Sequence, residues 1–159
     1  MSSTEIYVVS AVRSAIGGFG GSLKDLPLAD LASAVTRAAI ERSGLAAEQV
    51  GHLVMGTVIP TEPRDAYLAR VAAMNAGIPK ETPAFNVNRL CGSGLQAIVS
   101  AAQGLLLGDT DVAVAAGAES MSRGPYLLPQ ARWGARMGDL QGIDYTVGVL
   151  QDPFQHFHM

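Results

Sequence analysis

The residue types best suited to covalent chemistry meet at one place in this chain. Cys91, the single cysteine, lies in Asn88-Arg89-Leu90-Cys91-Gly92-Ser93-Gly94. That stretch joins a strand-like run, Ala84 to Asn88, to a helix-like run, Ser93 to Leu107. A helix N-terminus carries about half a positive charge and several unsatisfied N–H groups. A thiolate there is stabilised, which makes the sulfur a better nucleophile at neutral pH. Gly92 and Gly94 leave the backbone open to a ligand, and the Cys91 N–H can face a developing oxyanion. A nucleophile on a strand-to-helix turn is a recurring catalytic arrangement. The competing reading is an inert buried cysteine, common in cores.

The other candidates carry less. His156 and His158 form an H-x-H pair, but no ligand cluster lies nearby, so no metal site is expected. Gly17 to Gly21 fits neither the dinucleotide nor the phosphate-loop spacing, and reads as a turn near a subunit interface. Asp109, Asp111, Glu119 and Asp139 are scattered without a paired-carboxylate pattern, and read as strand caps or solvated loop residues. Arg132 and Arg136, with Trp133, suit either a ligand phosphate or another subunit.

The elements that must position Cys91 follow from hydrophobic periodicity. Glu5 to Val12 is rich in β-branched residues and reads as a buried strand. Pro27 precedes a helix over Leu28 to Ser43, with Asp30 in its first turn, Arg42 in its last and Gly44 as its cap. His52 to Val58 is a second strand, and Asp65 is placed to cap a helix over Ala66 to Asn75. Ala84 to Asn88, the helix Ser93 to Leu107, and the strand Asp111 to Ala118 complete a β-α-β-α-β-α-β order. That order implies an α/β layered fold with a mostly parallel sheet. The helix Ser93 to Leu107 is apolar on every side, so it is expected between two sheets or against a partner chain. From Glu119 to Met159 regularity fails, although structureless connections beyond about 12–15 residues are uncommon in compact domains. The expectation is a chain interrupted partway through a larger fold.

Composition narrows the class. Of 159 residues, 48% are hydrophobic, enough for a core, and only 16% are charged, against a typical value of about 25%. With 11 basic and 14 acidic residues the net charge is −3, which gives no reason to expect nucleic-acid binding. No apolar run approaches the ~20 residues of a membrane span, and Met1 to Glu5 lack a signal peptide's charged-then-apolar order, so a soluble cytoplasmic protein is expected.

The segment from Asn88 to Ile98 resembles the nucleophile segment of thiolases, the acetyl-CoA acyltransferases and β-ketothiolases. Val12 to Gly17 with Phe19 and Gly21, Ala116 to Ser122, Arg136 to Asp139, and the closing His158-Met159 are similar to the same family. The resemblance covers the whole chain. It implies a thiolase-like αβαβα fold, with residues 1–119 as the N-terminal α/β half-domain and 120–159 as the start of a loop domain. It implies an acyl-CoA C-acyltransferase in which Cys91 forms a covalent acyl-enzyme, acting on coenzyme A thioesters with no bound cofactor. It implies Leu150, His158 and Met159 as substrate-binding residues, along the coenzyme and the reactive pocket. It also implies a homodimer or homotetramer. The family's activating histidine, second cysteine and water-holding asparagine have no counterpart in these residues, so the chain alone is expected to be inactive. The stretch Thr61 to Arg70 is more similar to broad-range β-ketothiolases that make polyhydroxyalkanoate precursors than to short-chain biosynthetic ones. A ketoacyl-carrier-protein synthase shares fold and nucleophile, and a non-catalytic dimerisation fragment is the rival of another class. The Gly117 to Ser122 stretch and the His158-Met159 end favour thiolase.

Overall fold

The computed structural model describes residues 5–159. Its centre is a three-stranded parallel sheet of β1 (His52–Gly56), β2 (Ala84–Val87) and β3 (Ala113–Gly117), in the order β2-β1-β3. Helices α1 (Leu28–Ser43) and α2 (Leu68–Asn75) pack on one face of the sheet, and α3 (Ser93–Leu107) packs on the other. The alternation of the middle strand explains the layering. Leu53 and Met55 point into a cluster with Leu28, Ala32, Ile40, Leu68 and Ala72, while Val54 points to Ala97 and Ala101 of α3.

Helix α1 has the expected bounds. Its buried Leu28, Ala29, Ala32, Thr36 and Ile40 make one stripe, and Gly44 ends it at φ 74°, a left-handed position that suits a residue without Cβ. Helix α2 begins later than expected, at Leu68, because a 3₁₀ turn over Pro63–Tyr67 comes first. Asp65 does not cap α2. Its Oδ2 accepts from the Thr61 N–H (2.8 Å), the Thr61 hydroxyl (2.7 Å) and the Glu62 N–H (3.2 Å), so the carboxylate folds back onto its own loop. Asn86 of β2 serves the helix start instead. Its Oδ1 accepts from the Ala69 N–H (2.8 Å), and its amide donates to the carbonyls of Asp65 and Ala66.

Three further expectations need correction. Residues 5–12 form no strand: Tyr7, Val8 and Val9 are exposed, and a cleft of about 970 Å³ opens between this segment and β3, α1 and α3. The free edge of β3 is not reached, so no ladder forms and the β-branched run has nothing to bury against. Helix α3 is buried along one stripe only, Ser93, Ala97, Ala101 and Gly104. Leu95, Ile98, Val99, Leu106 and Leu107 are exposed, because a single sheet covers a single helix face. Finally, the 18 residues Leu90–Leu107 are long and apolar enough by composition to cross a membrane, which the sequence reading did not recognise. Here they form the turn before α3 and α3 itself, with that helix docked on the sheet by its small residues.

Residues beyond Glu119 form short elements. A 3₁₀ turn, Met121–Arg123, leads to β4 (Tyr126–Leu127), which pairs antiparallel with β5 (Ile143–Asp144). Helix α4 (Tyr145–Val149) follows, capped by Asp144, whose Oδ1 accepts from the Val147 N–H at 3.1 Å.

Candidate active site

The strands of a parallel sheet all end on one side, and crevices for ligands open there. Here β2 runs out through Asn88 into a tight turn that delivers Cys91 and then α3. Cys91 is exposed and lies outside the core. It lies just before Gly92, the residue that caps α3, and the Gly92 carbonyl accepts from the Gln96 N–H at 2.9 Å.

The turn is held by named contacts. Leu90 has φ 48°, which a side chain with a Cβ adopts only under constraint, at a cost of about 1–3 kcal/mol. The Leu90 N–H donates to Asn88 Oδ1 (2.9 Å), and the Leu90 carbonyl accepts from the Ser93 N–H (2.9 Å) and the Ser93 hydroxyl (2.6 Å). The same Ser93 Oγ accepts from the Arg89 N–H at 2.8 Å. Arg89 Nη1 donates to Gln96 Oε1 at 2.9 Å, tying the turn to the next helical turn.

Two glycines let the helix start sit on the strand ends. A Cβ on Gly56, the last residue of β1, would lie 2.6 Å from the Ser93 backbone. One on Gly117, the last residue of β3, would meet the Gly94 Cα at 3.4 Å. The sheet and α3 approach backbone to backbone, and this fixes where Cys91 emerges. His52 is accounted for structurally: its ring packs against Phe85 at 5.3 Å and sits beneath Gly104 of α3.

Glu119, at the exit of β3, clamps the exit of β1. Its Oε2 accepts from the Val58 N–H and its Oε1 from the Ile59 N–H, both at 2.9 Å. The residue as a whole keeps solvent access, but its carboxyl end is turned onto the loop. Desolvation there pushes the carboxyl above its ordinary value, and the two N–H donors oppose that shift. Of the two readings from sequence, strand cap or solvated loop residue, these bonds fit the strand cap.

Leu150, His158 and Met159 come together at the chain's other end. The Met159 N–H donates to the Leu150 carbonyl at 2.8 Å, and His158 bridges Gln151 in an antiparallel pair. Leu150 is half-buried, while His158 and Met159 are exposed. Among the described residues no hydrogen bond joins this group to the Cys91 turn. The described residues hold no cluster of three or more metal-type ligands. Gly18 to Gly21 form a turn closed by Gly21 N–H to Gly18 O (2.9 Å), and the Gly20 N–H donates to Ser122 Oγ at 2.9 Å.

Sequence reasoning missed Ser93, Asn86 and the strain at Leu90. Ser93 carried a signal, since a serine opening a helix can accept from the backbone before it. Asn86 carried none, because its partners lie on another element.

Comparison with known proteins agrees with this arrangement. Residues 6–159 match the model of the thiolase N-terminal domain. The chain is 63% identical over 155 residues to the beta-ketothiolase BktB of Cupriavidus necator, covering 98% of this chain and 39% of that protein. It is 43% identical to an acetyl-CoA acetyltransferase of the same organism, covering 98% of this chain and 40% of the relative. The crystal structure of human mitochondrial 3-ketoacyl-CoA thiolase in complex with CoA superposes with a TM-score of 0.88 at 39% identity, over 92% of this chain and 37% of that one. The chain thus spans about two fifths of the length of these relatives. By its fold, by the turn that presents Cys91 and by these matches, the chain belongs to the thiolase family.

Proposed function

We propose that this chain carries the nucleophile half of a β-ketothiolase, an acyl-CoA C-acyltransferase that forms or cleaves 3-ketoacyl-CoA. The observation that supports it is the exposed Cys91 on a constrained turn at the head of α3, where β1, β2 and β3 end. In the cleavage direction the Cys91 thiolate attacks the 3-keto carbon. The C2–C3 bond breaks, and its electron pair leaves on acetyl-CoA, which takes up a proton. The acyl group stays on Sγ as a thioester until the thiol of free CoA attacks it, releasing a shortened acyl-CoA and restoring the cysteine. The synthetic direction reverses these steps. The Cys91 N–H is one donor to the oxyanion.

The substrates are coenzyme A thioesters, and no resident cofactor is called for. Leu150, His158 and Met159 line the coenzyme's arm and the reactive pocket in this reading. Residues 1–119 are the N-terminal half-domain and 120–159 begin the loop domain. The acid/base groups come from residues outside these. A cytoplasmic location fits CoA-dependent chemistry of this kind. The test is direct: incubate the complete enzyme with acetyl-CoA and digest it. An acetyl group should map to the peptide holding Cys91, and Cys91→Ser should lose both the adduct and acyl transfer. An active serine variant would end the proposal.

A further inference from the structure

Resting on the reading of Cys91 as nucleophile, we infer that Ser93 is a positioning residue for Cys91, acting through the backbone of the turn. Its hydroxyl bonds two backbone groups that precede the cysteine. It accepts from the Arg89 N–H (2.8 Å) and donates to the Leu90 carbonyl (2.6 Å). The residue between those bonds and the nucleophile is Leu90, the one held at φ 48°. An unconstrained leucine relaxes to negative φ, and that rotation re-aims the peptide carrying the Cys91 N–H and swings Sγ with it. Ser93 itself does not move easily: it is buried, it is the first residue of α3, and its backbone lies against Gly56 at the end of β1. The hydroxyl therefore refers the nucleophile's position to the sheet. Asn88 Oδ1 holds the Leu90 N–H from the other side, but Asn88 sits on the turn and not on the sheet-anchored helix.

The geometry separates this role from an ordinary helix cap. A cap satisfies N–H groups inside the helix, whereas Ser93 Oγ bonds backbone groups that precede Cys91. Its loss leaves the Leu90 conformation to the Asn88 Oδ1 contact and the Ser93 N–H alone, and frees the Arg89 N–H, in a turn that must hold a reacting atom in place.

The test uses the complete enzyme. Ser93→Ala should lower kcat for thiolysis on the order of 10²-fold and leave KM for acyl-CoA within about threefold, because binding is untouched and alignment is lost. Alkylation of Cys91 by iodoacetamide should slow in parallel. Ser93→Thr, which keeps the hydroxyl, should recover most of both. The decisive variant is Ser93→Ala with Leu90→Gly. Glycine adopts positive φ without strain, so the double variant should label and turn over faster than Ser93→Ala alone. Ser93→Ala with a lower Tm but unchanged kcat and labelling would reduce Ser93 to a structural residue. A double variant that folds yet leaves Cys91 unlabelled would overturn the proposal even where the single variant does not fold. Acyl transfer that persists in Cys91→Ser would instead remove the nucleophile reading, whatever Ser93 does.

Discussion

Glu119 behaves against the usual habit of carboxylates. A salt-bridged acid loses its stabilising effect as pH falls; this one acts in the opposite direction. Desolvation raises its folded value above the ordinary 4.5, so the native state holds a proton that the unfolded chain has released. Its favourable contribution is complete below pH 4.5 and is lost as pH rises through the raised folded value. Glu119→Gln removes that pH dependence. It also turns an amide toward one of the Val58 and Ile59 N–H groups, which costs about 1 kcal/mol. The expected outcome is a variant less stable at pH 4 whose deficit shrinks as pH rises through the raised folded value of the Glu119 carboxyl. Thermal unfolding across a pH series checks this, and parallel curves for the two proteins would refute it.

At the scale of elements, the close approach of β1 to α3 carries the next prediction. A methyl at Gly56 meets the Ser93 carbonyl carbon and oxygen at 2.6 Å, and both are backbone atoms that cannot rotate away. Gly56→Ala should cost about 1–3 kcal/mol in urea unfolding, as overpacking does, and should reduce thiolysis by the complete enzyme through a displaced helix start. An unchanged midpoint would mean that α3 rides up freely. The elements also show how far sequence reaches. Helices α1 and α3 were legible to the residue, because Gly44 and Gly108 both mark helix ends at positive φ and the small and apolar residues keep helical spacing. The placement of Cys91 at a strand–helix junction was legible, because glycines follow it where the strand-like run meets the helix-like one. The strand expected at residues 5–12 was not a failure of propensity: its Val8 and Val9 suit a sheet, but a strand needs a neighbour, and pairing is a non-local fact. The same holds for Asp65, whose composition suggests a cap without saying which turn it serves.

At the scale of the whole molecule, uncovered surface dictates two outcomes. Leu95, Ile98, Leu106 and Leu107 lie exposed on α3, and β2 is an edge strand with Phe85 partly exposed. Monomers rarely expose contiguous apolar patches beyond a few hundred Å². Sedimentation at micromolar concentration should find at least a homodimer, with the Ala84–Asn88 stretch at the two-fold interface. A stable monomer of 16.5 kDa that binds no hydrophobic dye would show that this surface needs no cover. On the proposed reading of Cys91, the 159-residue chain by itself should not thiolyse acetoacetyl-CoA, since the acid/base partners that the resemblance implies have no counterpart in its residues. Turnover near that of a complete relative would contradict this.

The core is placed unevenly, and that has a kinetic reading. Its largest fully buried side chains, Leu28, Thr36, Leu53, Val54, Met55, Ile59, Asp65 and Leu68, all fall within one early stretch of chain. The cluster on the α3 side is three residues, Val54, Ala97 and Ala101, with a few half-buried neighbours. Native-state hydrogen exchange should therefore divide the molecule. Amides of α1, β1 and α2 should exchange only through global unfolding, while those of α3 and the turn before it exchange through smaller local openings. The nucleophile would then ride on the least cooperative part of its own scaffold, and whatever docks on α3 would close that opening and set how long the reactive geometry persists.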